Sequence, residues 1–209
     1  MDRTDSFARC WRLRRLAETR VTEYSGAQAR AHVATAVALG FVGDLRVFDR
    51  NKERADELVT WSQSLALPSL PSRACASAQE AVEGASVIIS CASLGDERQL
   101  LQSRWVDAAC LIVAIDEDVY LSGDIVRASE AFIVDDINQY RSARDHGGFP
   151  GFPDPDGTLG GYSSTETSTP VPAGRLAVIT FGIGIADIVF AAAVYQKALD
   201  AGTGLILDP

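Results

Sequence analysis

Four short apolar runs constrain this chain more than any other feature. Ser86–Ser90, Cys110–Ile115, Ala131–Asp135 and Leu176–Thr180 each hold five or six residues. Runs of this length with little polar alternation suit strands buried on both faces. Helical signals fill the stretches between them. Strands alternating with helices build βαβ units, whose right-handed crossovers produce a parallel sheet. In such sheets ligands sit at the carboxyl ends of the strands.

The remaining segments fit that plan. Ala27 to Leu39 is alanine-rich and suits a helix. Leu45 to Phe48 reads as a short strand, and Asn51 can cap a helix running to about Leu65. Pro68 and Pro71 break the chain there, and Ser77-Ala-Gln-Glu80 reads as a capping box for a short helix ending near Gly84. A helix-like segment leads toward Trp105, and Ile125 to Ser129 is a further short helix. Upstream, Val21 to Tyr24 is a weak first strand interrupted by Thr22 and Glu23. Residues 1–20 form a basic segment, either a short helix with Phe7, Trp11 and Leu16 on one face or a poorly ordered start. Residues 144–175 gather most of the prolines and many glycines and end in a Ser/Thr run, the composition of a long loop or lid. Ile183 to Leu199 is an apolar helix with Asp187 near its start.

A nucleotide is the ligand this plan favours. Ser25-Gly26-Ala27-Gln28 forms a turn entering a helix, where free N–H groups and the positive dipole end suit phosphates. Asp49 ends the next strand, about 20 residues on, the spacing of a carboxylate that accepts both ribose hydroxyls. It repels a 2′-phosphate, so NAD is favoured over NADP, while Arg50 leaves room for NADP. The expected fold class is thus α/β: a Rossmann-like, doubly wound parallel sheet with a long lid loop and a C-terminal helix. Asp116 follows the strand ending at Ile115 and is placed for proton transfer or for holding an amine. The other reading of Asp116 is a solvated loop acid among Glu117 and Asp118. Ser90 and Ser93 flank the end of the preceding strand and read either as cofactor contacts or as ordinary turn residues. His32 reads as structural, and His146 lies in the lid.

Composition excludes other classes. The net charge of −9 argues against nucleic acid and anionic membranes as partners. The four cysteines, Cys10, Cys75, Cys91 and Cys110, have no CxxC spacing and read as free thiols of a reducing cytoplasm. No run reaches the ~18 apolar residues of a membrane span, and the arginine-containing start lacks the apolar core of a signal peptide. No histidines and carboxylates have metal-ligand spacing, and no G-x-S-x-G elbow occurs.

Several of these segments together resemble one family. Ser25-Gly-Ala-Gln-Ala-Arg30 is similar to the G-x-G-x-Q-A-R turn of the ornithine cyclodeaminase/mu-crystallin family. Val47-Phe-Asp-Arg50, Val87-Ile-Ile-Ser-Cys-Ala-Ser93, Ala114-Ile-Asp116, Val134-Asp-Asp136 and Phe181-Gly-Ile-Gly-Ile-Ala-Asp187 resemble later family segments in the same order. The likeness runs from about residue 20 to 209. It implies an NAD(P)-dependent reaction at the amine-bearing carbon of a small amino acid, such as ornithine to proline plus ammonia. It implies Asp116 as the catalytic aspartate, and Ser25, Gly26, Ala27, Gln28, Asp49, Arg50, Ser90, Ala92, Ser93 and Thr180 as cofactor-binding positions. Tyr24 stands where the family has its first turn glycine, Ala92 replaces a usual hydroxyl residue, and Thr180 takes a usual serine position.

The resemblance implies a substrate and dimer domain ahead of the turn, and that domain is expected to be largely missing from these 209 residues. The organisation expected is residues 1–20 as the basic segment, 21–180 as the NAD(P)-binding domain, and 181–209 as a helix and tail belonging to the otherwise missing domain. That helix would join a homo-oligomer or a partner domain. The alternative is an inactive nucleotide-binding relative, or a binding protein like mu-crystallin.

Overall fold

The computed structural model describes residues 26–38, 43–64, 71–93, 96–163 and 173–205. The basic start, the weak strand Val21–Tyr24, Ser25, and most of the Ser/Thr run lie outside them. In chain order the elements are α1 (Ala27–Ala38), β1 (Leu45–Val47), α2 (Lys52–Ser64), β2 (Ser72–Ala74), α3 (Ala78–Val82), β3 (Val87–Ser90) and a 3-10 turn (Ser103–Trp105). The second half holds β4 (Leu111–Ala114), α4 (Gly123–Arg127), β5 (Ala131–Val134), α5 (Ile137–Asp145), β6 (Gly157–Thr158), α6 (Leu159–Ser163), β7 (Leu176–Ile179) and α7 (Gly184–Asp200).

All described pairings are parallel. The larger sheet has the order β3-β4-β7-β5-β6, and β1 pairs with β2 in a smaller one. Register aligns the strand ends: Ser90 pairs with Ala114, Ala114 with Ile179, and Val134 with Ile179. The segments leaving β3, β4, β7 and β5 therefore emerge along one edge.

The apolar runs become strands because both faces are covered. Ile88, Ile112, Ala114, Phe132, Val134, Ala177 and Ile179 face one core, with α4 and α5. Val87 and Ile89 face the other, with Leu45 and Val47 of β1 and Ala29, Val33, Ala55 and Leu58 of α1 and α2. The second core also joins the two sheets. Each such buried aliphatic side chain stabilises the fold by about 1.5–3 kcal/mol. The sheet is doubly wound, as the sequence predicts.

Local chemistry sets the ends of the helices. Asn51 Oδ1 accepts from the Glu53 amide at 2.9 Å, starting α2. Ser77 Oγ accepts from the Glu80 amide at 3.1 Å, and the Glu80 carboxylate reaches back to the Ala76 amide at 2.8 Å. This is the expected capping box, displaced by one residue on its return arm.

The long connection between α5 and β7 is anchored rather than loose over its described part. Phe149 and Phe152 are buried, and they form a ring cluster with Phe132, Tyr140 and Phe181. The Tyr140 hydroxyl donates to the Pro153 carbonyl at 2.7 Å. Residues 157–158 then add an edge strand, and α6 comes next. Behind this region Arg175 is buried, donating to the Val106 carbonyl at 2.7 Å and the Asp107 carbonyl at 3.2 Å. It closes the segment before β7 onto the one before β4.

Candidate functional site

Ser90, Asp116 and Thr180 lie at or just beyond the carboxyl ends of the neighbouring strands β3, β4 and β7, and Asp49 follows β1. At the start of α1, Gly26, Ala27 and Gln28 are exposed. No acidic residue stands in the first turn of α1, so the positive dipole end is not neutralised by its own helix. Among the described residues, a β-carbon added at Gly26 would meet nothing within 4 Å.

Asp49 lies two residues beyond β1 and is 4% exposed. Its Oδ1 accepts from the Asn51 amide at 2.8 Å, which fixes the carboxylate at the mouth of α2. Arg50 turns outward and pairs with Glu97 at 3.0 Å, both side chains exposed. It thereby ties the end of β1 to the loop after β3.

Asp116 sits beyond β4 and is 2% exposed. Both its oxygens are held by the end of β3. The Ser90 hydroxyl donates to Oδ1 at 2.8 Å, and the Ala92 amide donates to Oδ2 at 3.0 Å. Burial pushes its pKa up to about 6, partly offset by these donors, with Asp118 adding a smaller upward push. A carboxyl titrating near neutrality can both take and return a proton. Cys91 is buried between the two donors, and its thiol is pushed up to about 12 by burial and by Asp116. It is inert as a nucleophile.

Asp118 belongs to the site although its surroundings in sequence give it no distinction. It is 3% exposed, pairs with Arg98 at 3.0 Å, and its other oxygen faces the Phe149 amide at 3.3 Å. A tight turn after β4, closed by the Val119 amide donating to the Asp116 carbonyl at 3.2 Å and with Glu117 at φ 58°, carries both aspartates, and nothing in the sequence marks Asp118 for it. Thr180 comes directly after β7, half-buried, its amide donating to Ala114 at 3.0 Å. Beside it, Asp135 Oδ2 accepts from the Phe181 and Gly182 amides at 2.9 and 2.8 Å, securing the entry to α7. Ser93 is exposed at the same edge. Ser25 lies outside the described residues.

The fold defines a class: a doubly wound α/β protein with a parallel sheet and two buried aspartates after β4. Residues 24–148 match the ornithine cyclodeaminase/mu-crystallin family, and the chain belongs to that family. Among solved structures it is similar to the Thermococcus litoralis Δ1-pyrroline-2-carboxylate reductase in complex with NADH and L-proline. The TM-score is 0.75 at 16% identity, covering 97% of this chain and 65% of that one. It is similar to an archaeal alanine dehydrogenase dimer with bound NAD, with TM-score 0.74, 17% identity, and 93% and 62% covered. It is also similar to a lysine cyclodeaminase studied for recognition of L-lysine, L-ornithine and L-2,4-diaminobutyric acid, with TM-score 0.68, 17% identity, and 97% and 58% covered. The chain thus spans less than two thirds of the length of these structures. No curated protein sequence matches it.

Proposed function

We propose that this chain is the NAD(H)-binding part of a protein acting at the amine-bearing carbon of a small amino acid or its imine. The observation that carries this reading is Asp116: a buried carboxyl with a pKa of about 6 at the carboxyl end of β4, in a chain where Gly26 opens α1 and Asp49 follows β1. The amides and dipole of α1 would hold the pyrophosphate, and Asp49 the ribose hydroxyls. When bound, NAD supplies a hydride acceptor, and NADH a donor. Asp116 would take the proton that leaves the substrate nitrogen as the C–N bond gains double-bond character, and return it in the reverse direction. Ornithine cyclodeamination and reduction of a cyclic imine are the two finer forms of this chemistry. The family membership and the neighbouring structures support both equally.

The pairing of Arg50 with Glu97 supports NAD rather than NADP, because it turns the nearby cation away toward an acid. A second reading, a nucleotide-binding relative without turnover or a binder like mu-crystallin, draws support from the enclosure of Asp116 and from the bare helix α7.

Titration of the chain with NADH, followed by nicotinamide fluorescence, tests the reading. Saturable binding is expected, tighter than for NADPH. Asp49→Asn keeps the acceptor for Asn51 but loses the charge, so it should weaken NADH about tenfold and narrow the gap to NADPH. No fluorescence change up to millimolar NADH would sink the cofactor reading.

A further inference from the structure

Ser90 carries a role that its position in a cofactor-contacting segment does not suggest. Its hydroxyl is 2.8 Å from Asp116 Oδ1, and the residue is 2% exposed. The two donors that β3 offers Asp116 differ in kind. The Ala92 amide can only donate, so it demands an acceptor at Oδ2 whatever the state of the carboxyl. The Ser90 hydroxyl can donate or accept. When Asp116 is charged, Ser90 donates to Oδ1. When Asp116 is neutral, the proton on Oδ1 can be donated to Ser90 Oγ, and the serine proton turns to another acceptor.

Resting on the proposed role of Asp116 in proton transfer, we infer that Ser90 is a positioning residue that holds the Asp116 carboxyl in one orientation through both protonation states and directs the exchanging proton to Oδ1. The same Ser90–Asp116 contact is then occupied before and after transfer. The other charged or titratable groups at this point are Asp118, whose charge is matched by Arg98, and the Cys91 thiol, which stays protonated. Neither Asp118, itself an acceptor toward Arg98 and Phe149, nor the weakly bonding thiol can replace a hydroxyl that reverses its hydrogen bond.

Carboxyl carbon NMR titration of the intact chain tests this without cofactor or substrate. In the unaltered chain the Asp116 resonance should titrate with a midpoint near 6. Ser90→Ala removes a charge-assisted bond from the charged form and a weaker neutral bond from the protonated form, so Asp116 should bind its proton about threefold to fivefold more tightly and the midpoint should rise by that difference. Ser90→Thr, which keeps the hydroxyl, should restore it. Ser90→Cys keeps the shape with a weak donor and should move the midpoint in the same direction as alanine, which covers the case where alanine unsettles the fold. A midpoint unmoved in both the alanine and cysteine variants would overturn the inference, as would a threonine variant that behaves like alanine. The NADH titration reads a different property: its failure would remove the cofactor reading and leave this result standing.

Discussion

At the scale of single residues, Asp116 makes the protein's stability depend on pH in a direction opposite to most carboxylates. Its carboxyl has a pKa near 6 when folded, against an ordinary value of 3.8. Between those values the folded chain binds more protons at this site than the unfolded chain, so stability falls as pH rises. The contribution is fully present below 3.8 and lost as pH passes about 6. A difference of about two pKa values corresponds to about 3 kcal/mol at most. Asp116→Asn removes the charge and can offer its oxygen to the Ala92 amide and its NH2 to Ser90 Oγ. Urea denaturation should therefore show the variant more stable than the unaltered chain by about 1–3 kcal/mol at pH 8. Near pH 4 the two should differ little. A variant less stable at pH 8 would mean that the aspartate charge is stabilised by its setting. Asp116 was visible in the sequence because it ends an apolar run. Asp118 was not, because acidity after a strand normally means solvent. Only packing of Phe149 over it and of Arg98 beside it turns this acid inward.

At the scale of elements, β3, β4, β5 and β7 could be read directly, since burial on both faces demands unbroken apolar runs. The elements missed are those whose stability comes from elsewhere. Strand β2 is Ser-Arg-Ala beside Pro71, and only pairing with β1 makes it extended. Helix α5 fully buries only Tyr140, with Ile137 and Ala143 half-buried against the same core and the rest polar, and it is started by Asp136 accepting from the Asn138 and Gln139 amides at 2.7 and 2.9 Å. Helix α7 is the converse case, plain in sequence and unsupported in the structure. Asp187 and Lys197 complement its dipole, and Gly202, at φ 60°, ends it in the left-handed conformation that glycine adopts at least cost. None of its residues is buried, and Ile185, Ile188, Val189, Phe190, Val194, Tyr195 and Leu199 are 52–71% exposed. A continuous apolar surface of this kind on an isolated chain promotes association. Light scattering should report a mass that grows with concentration. Replacing Ile188 and Phe190 with glutamate should return it to a monomer with an unchanged melting temperature, because these side chains support nothing beneath them. A monomer at every concentration before substitution would count against this account.

For the whole molecule, the two cores predict an order of opening. Strands β3, β4, β7 and β5 are paired in one sheet and covered on both faces, so their amides exchange only when most of the fold opens. The β1–β2 pair is three residues deep, with β2 only partly covered, and is held mainly by α2 and by Arg46 reaching the Glu80 and Glu83 carbonyls at 3.1 Å. This half should open at lower free energy, and α7, without buried residues, at the lowest. Hydrogen exchange should therefore rank the central strands slowest, β1 and β2 intermediate, and α7 fastest at concentrations below association. The same measurement locates the cofactor reading in space. A ligand held at about a hundred times its Kd adds about 2.7 kcal/mol of protection to openings that destroy its site. NADH should slow exchange at Ala27–Val33 of α1 and at Asp49–Asn51, which belong to the less stable half, and leave α7 unchanged. Protection confined to the central strands would place the nucleotide elsewhere on the sheet. Exchange in α7 as slow as in β4 would mean that the helix is covered in solution, and the concentration at which that appears would match the onset of association.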